Sequence, residues 1–423
     1  MNGFDVASIL VAIAAASGYV NHRFLRLPAT SGTLAVALVS SLAVVAGDNL
    51  FSHLKLADAV GAFLSEIDFN ETLMHGMLSF LLFAGALHVN LEGLLANRWT
   101  IGILSTVGVL SSTVIVGLLT WWTFALIGSG VPLLVCLTFG ALISPTDPIA
   151  VMGLLKELRA PSDLEAQIAG ESLFNDGIAV VVFFAMVSLA GLSGSGAAVS
   201  VGAAGLLQFF VREVAGGIGL GLGLGYLGYR ALKSINERSL ELLITLALAM
   251  FLYSLSFWIH VSGPIAVVVA GLLIGNPGRT FAMSVRTREH VDAFWSMIDE
   301  ILNAVLFLLL GLQVLTVPTG GRVIGAALLA IPIALVARLL SVGVPVTAMR
   351  FRANFVRGII PILTWSGLRG GISVAMALSL PRFPARDLVL ACTYAVVVFS
   401  ILIQGLTVRR LLVHYRVGEH RLS

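Results

Sequence analysis

Apolar residues run along this chain in long blocks separated by short polar stretches. The blocks at 101–127 and 325–347 each exceed the roughly 20 residues a helix needs to cross the hydrocarbon core of a bilayer. The pattern predicts thirteen helices, near 4–21, 31–47, 69–91, 99–127, 131–155, 165–190, 205–231, 239–259, 262–275, 296–315, 322–348, 358–381 and 387–411. The ninth is short, and a tryptophan-containing segment before the tenth suits the membrane interface. The expected fold class is an all-α polytopic membrane protein. Composition agrees, because 58% hydrophobic and 11% charged residues cannot cover a soluble chain of this length. The first block carries Asp5 and no Lys or Arg before Arg23, so it reads as a spanning helix and not a cleavable signal.

Charge placement gives the map an orientation. With the N-terminus outside, eighteen of the 25 Lys and Arg residues fall on the cytoplasmic side. Four fall outside (Lys55, Arg322, Arg382 and Arg386), and three lie within spans (Arg212, Arg338 and Arg369). This bias favours N-out, C-in in a cell membrane. Basic residues in short loops are a topology signal and do not point to a nucleic-acid partner. The two cysteines, Cys136 and Cys392, lie in apolar runs and read as packing residues.

Two spans are interrupted. Span five contains Ser144-Pro145-Thr146-Asp147-Pro148, and span twelve contains Ser366-Gly367-Leu368-Arg369-Gly370-Gly371. Paired prolines, or three glycines within five residues, break the backbone hydrogen-bond ladder. Such backbone survives at membrane depth only where protein or water satisfies it. The breaks lie seven spans apart, so the two helices run in opposite directions. The expected architecture is a pair of inverted repeats, spans 1–6 and 8–13, with a midplane site where two broken helices cross.

Ionisable groups inside spans are costly and mark candidate sites. Span six carries Glu171-Ser172-Leu173-Phe174-Asn175-Asp176. A helix starting near Glu165 sets Asp176 roughly 16 Å into the membrane. Ser172 and Asp176 then share one face, and Glu171 and Asn175 an adjacent one. A buried carboxylate at Asp176 can hold either a hard cation or a proton, and that competition is what an exchanger requires of its site. Asp147, before Pro148, suits a helix N-cap, an ion ligand, or both. Thr146 and the last carbonyls of the first half-helix offer neutral oxygens. Arg338 lies midway along span eleven and needs a buried anion, for which Glu171 is the candidate. Arg369 could cap loose carbonyls or exclude other cations. The only lysines, Lys55, Lys156 and Lys233, fall in predicted loops, so no intramembrane ammonium competes with a transported ion. Rival readings are a K⁺-selective exchanger, a channel, or an intramembrane aspartyl enzyme built on Asp147 and Asp176. Nothing points to a resident cofactor.

Taken together, Thr146-Asp147-Pro148, the 171–176 motif, Arg338 and Gly367-Leu368-Arg369-Gly370 resemble the cation:proton antiporter superfamily. The resemblance is to the branch holding NhaP-type bacterial antiporters and animal sodium/proton exchangers, and it covers nearly the whole chain. It implies a thirteen-helix inverted-repeat fold, dimeric, with an elevator-like core that exchanges Na⁺, or else Li⁺ or K⁺, for protons and serves pH homeostasis. Asp176 would carry the metal ion or the proton, and Asn175 would mark the electroneutral branch. Thr146, Asp147 and Ser172 would surround the ion, Glu171 and Arg338 would form a structural pair, and Pro145, Pro148, Gly367, Arg369 and Gly370 would shape the breaks. Scaffold helices would occupy 1–98 and 239–321, core helices 99–190 and 322–423, with a linker helix in 191–238. Some NhaP-type relatives carry an acidic residue in span three; the stretch here, Leu82-Phe83-Ala84-Gly85, has none. His88, near the end of that span, is a candidate pH sensor.

Overall fold

A computed structural model describes residues 3–50, 60, 63, 71–192, 203–279, 283–316, 320–351 and 355–417. Lys55, Arg352, Arg421 and the first two residues of expected span three, 69–70, lie outside the described residues. No strand occurs among the described residues; the only β-type pairing is a single bridge between Asp147 and Leu368. The helices are α1 (Gly3–Val20), α2 (Ala29–Leu50), α3 (Leu78–His88), α4 (Arg98–Leu126), α5 (Leu133–Ile143), α6 (Ile149–Glu157) and α7 (Ser162–Leu189). They continue as α8 (Ala203–Ser234), α9 (Arg238–Ile259), α10 (Gly263–Leu273) and α11 (Val285–Gln313). The chain closes with α12 (Gly321–Met349), α13 (Ile359–Ser366), α14 (Gly371–Ser379) and α15 (Arg386–His414).

Among the described residues, nine of these helices are long and apolar enough to cross a membrane. The expected spans five and twelve are each split, into α5 and α6 and into α13 and α14, at the Pro-rich and Gly-rich segments. Lipid gives helices no hydrophobic reason to associate, so they approach through small residues. A Cβ on Gly140 of α5 would stand 2.3 Å from the carbonyl oxygen of Thr113 on α4. One on Gly311 of α11 would stand 2.3 Å from the Ala37 methyl on α2, where Ser41 donates to the Gly311 carbonyl at 3.0 Å. A separate apolar cluster of Val151, Leu155, Leu164, Val342, Ile362 and Val408 ties α6, α7, α12, α13 and α15 together.

Two expectations need correction. Span ten does not begin at 296: α11 starts at Val285, eleven residues earlier. The tryptophan before that point is therefore no interfacial residue. Trp295 is fully buried, packs on Phe83 with ring centroids 4.7 Å apart, and donates its indole N–H to Thr245 at 3.1 Å. Lys156 and Lys233 likewise belong to the last turns of α6 and α8, where ammonium groups complement the helix dipole, and not to loops. Cys136 and Cys392 are buried and free.

Candidate functional site

The breaks cross in antiparallel fashion. The backbone N–H of Asp147 donates to the Leu368 carbonyl at 2.8 Å, joining the two unwound segments. This approach needs glycine: a Cβ on Gly370 would lie 2.6 Å from the Asp147 Oδ2, and one on Gly367 would lie 2.5 Å from the Arg338 Nε. Gly370→Ala must therefore displace Asp147 and loosen the crossing. Overpacking of this kind typically costs about 1–3 kcal/mol. The expected result is a lower melting temperature in detergent, while Gly325→Ala, which meets nothing within 4 Å, leaves it unchanged.

Each break leaves a carbonyl-rich helix end, and an arginine answers each. Arg369 donates through Nη1 to the Ser144 carbonyl and, at 2.9 Å, to the Pro145 carbonyl at the end of α5. Arg338 donates through Nη2 to the Leu363 carbonyl near the end of α13 at 3.1 Å. Both guanidinium groups sit where the helix dipole is negative. The carbonyls at the end of α5 thus already accept from Arg369. Arg338 also pairs with Glu171, through Nη1 to Oε1 and through Nη2 to Oε2 at 3.0 Å, both side chains being buried.

The second half-helix is capped by Asp147, whose Oδ1 accepts the Ile149 N–H at 2.9 Å. Thr146 is the polar hub: Asn175 donates from Nδ2 to its Oγ1 at 2.8 Å and accepts its backbone N–H at 3.3 Å. Its hydroxyl also lies 3.0 Å from that of Ser172. Helical geometry alone grouped Ser172 with Asp176 and Glu171 with Asn175. Thr146 meets the i, i+3 pair Ser172 and Asn175, which also neighbour each other on α7. Asp176 stands apart, halfway along the 28-residue α7 and 8% exposed, with no hydrogen-bond partner among the described residues. Because α7 starts at Ser162, one turn before Glu165, Asp176 is about 21 Å from its start. Sequence reading missed Ser400 and Gln404 of α15. The Ser400 hydroxyl accepts the Arg369 N–H at 2.9 Å and donates to Gln404 at 2.5 Å, while Gln404 reaches the Trp365 carbonyl at 3.3 Å. A glutamine inside an apolar span was the available signal.

His88 lies away from this crossing. Its Nδ1 is 2.7 Å from the Ala84 carbonyl and its Nε2 is 3.3 Å from the Ser296 hydroxyl, so it fastens α3 to α11.

A buried carboxylate without a hydrogen-bond partner, beside two crossing breaks, suits exchange of a bound ion better than fixed structure. The family profile described as "Sodium/hydrogen exchanger, transmembrane" matches residues 8–414. The chain is also 47% identical over 419 residues to the Na⁺/H⁺ antiporter NhaP of Pseudomonas aeruginosa, covering 98% of this chain and 97% of that one. The chain belongs to the sodium/hydrogen exchanger family. Another relative in the family is the Na⁺/H⁺ antiporter NhaH of Halobacillus dabanensis, 34% identical over 81% of this chain and 83% of that one. The sodium proton antiporter MjNhaP1 of Methanocaldococcus jannaschii, solved at pH 8, shares the fold with a TM-score of 0.75 over 97% of both chains, at 17% identity.

Proposed function

We propose that this protein is a secondary active antiporter that exchanges Na⁺ for protons, one for one, at Asp176. The observation that carries the reading is the isolated, buried Asp176 carboxylate, and the naming of its relatives as Na⁺/H⁺ antiporters supports Na⁺ as the cation. Na⁺ binds the Asp176 carboxylate only after the proton leaves, so one site alternates between two cargoes. Thr146, Ser172 and Asp147 line the approach, and Asn175 holds Thr146 in place. Spans 4–6 and 11–13 move as an elevator-type core against a scaffold of spans 1–3 and 8–10, within a homodimer oriented N-out and C-in across thirteen crossings. Transport is tested with a pH-sensitive dye in proteoliposomes titrated with Na⁺, K⁺ and Li⁺. Na⁺ should dissipate a preset proton gradient; failure of all three cations would overturn the reading.

Stoichiometry follows from the same geometry. Asp147 spends Oδ1 on the Ile149 N–H, Asn175 is neutral, and the helical lysines Lys156 and Lys233 sit only in last turns, so Asp176 alone takes up and releases the proton. No net charge then crosses per cycle. Exchange in liposomes clamped with valinomycin should run at one rate at zero and at inside-negative potential. Movement of a net charge would instead feel about 2.3 kcal/mol per 100 mV. Acceleration at one polarity would place a second titrating group in the cycle, with Asp147 the candidate.

A further inference from the structure

One face of α11 runs alongside the crossing. A Cβ on Gly371, the first residue of α14, would stand 2.6 Å from both δ-carbons of Leu306. Asp299, Asn303 and Leu306 are spaced i, i+4 and i+7, so they share that face. The Asp147 carboxylate lies against the adjacent Gly370, and the charges of Asp147 and Asp299 act on each other across the N-terminus of α14.

The Asn303 side chain is 4% exposed and fixed in orientation: its Nδ2 donates to the Asp299 carbonyl at 2.8 Å and to the Asp299 Oδ1 at 3.1 Å. With both donors directed at Asp299, its Oδ1 is left buried and without a partner. An amide kept only to brace the aspartate would leave that oxygen at a cost of about 1–3 kcal/mol. A carboxylate and an unpartnered amide oxygen side by side are instead what a hard monovalent cation takes as ligands, with water completing its shell.

The opposite helix supplies no rival. His88 of α3 and Ser296 of α11 meet at 3.3 Å, and one turn before His88 on α3 comes Ala84. Ala84 is buried and offers neither oxygen nor charge. Glu300, the nearest acidic neighbour in sequence, is exposed and adds to the negative field at Asp299.

We propose that Asp299 and Asn303 form a second cation site, one step from Asp176, which takes a partly hydrated alkali cation and concentrates it beside Asp147 and Asp176. This rests on the antiport reading, in which Asp176 is the exchanging group, and adds a residue set that governs apparent Na⁺ affinity.

Two arms test it. In the first, radiolabelled Na⁺ is bound at equilibrium to the purified full-length protein, a readout that needs no transport. Asp176→Asn should keep weak, saturable binding that disappears in Asp176→Asn/Asp299→Asn and falls in Asp176→Asn/Asn303→Leu. Absence of binding in the single variant, or equal binding in the double variants, would overturn the proposal. In the second arm, Asp299→Asn should raise the KM for Na⁺ roughly five- to tenfold while the maximal rate is still reached at saturating Na⁺, and Asp299→Glu should restore most of the affinity. An unchanged KM, or a lost maximal rate at unchanged KM, would also overturn it. Where Asp299→Asn fails to fold, Asp299→Glu and Asn303→Leu decide by the same two readouts. Failure of wild-type Na⁺-driven proton flux would sink the antiport reading alone, leaving the binding arm to judge the second site.

Discussion

Asp176→Asn will leave a folded protein that has lost exchange, retaining less than about a tenth of the Na⁺-driven pH response in proteoliposomes. The expectation has a steric and a chemical half. Asparagine matches the aspartate in volume, and Asp176 makes no hydrogen bond among the described residues, so the substitution orphans no donor or acceptor. What it removes is the one charge at the crossing that neither a cap nor an ion pair consumes. An amide cannot give up a proton to receive a cation, so both halves of the cycle stop together. The loss should appear in the rate, with the melting temperature equal to or above that of the wild type, since an unpaired buried charge has been deleted. A clear exchange signal from Asp176→Asn would move the site elsewhere.

The second large effect is on stability. Glu171 and Arg338 are buried together, and removing one partner of such a pair typically costs about 3–5 kcal/mol because the other charge is stranded. Glu171→Gln strands Arg338 beside Arg369, a second buried guanidinium. Arg338→Met strands Glu171 and also releases the Leu363 carbonyl at the end of α13. Both single variants should melt well below the wild type in detergent. The double variant should recover part of the loss, because no lone charge remains, but not all of it, because the carbonyl is still uncapped. Strictly additive losses would mean that the two residues do not act as partners.

How far the sequence could be read depended on how local the cause was. Apolar block length placed the spans within a few residues, the start of span ten excepted, since membrane thickness sets it directly. The two breaks were legible because proline and glycine act on their own backbone. Glu171 and Arg338 could be matched because an arginine inside lipid must find an anion. Contacts set by how one helix packs on another were not legible. The 100° rule allows both Asn175 and Asp176 as neighbours of Ser172, and only the packing of α7 on the break shows that Thr146 meets Ser172 and Asn175. The role of Arg369 stayed open until the α5 carbonyls were seen to lie within its reach across 224 residues of sequence. Asp299 was hidden for a different reason. The polar 285–295 segment looked like a flank of span ten, which left Asp299 near a helix end; the helix continues through that segment and carries Asp299 inside.

The account turns on one claim, that Na⁺ and a proton compete for Asp176, and proton release is its most direct measurement. Purified protein in lightly buffered detergent, at a pH where the site is protonated, is titrated with NaCl against a choline chloride control. Wild-type protein should release about one proton per chain as Na⁺ binds, and Asp176→Asn should release none. No release from the wild type on Na⁺ binding, or equal release from Asp176→Asn, would contradict the account.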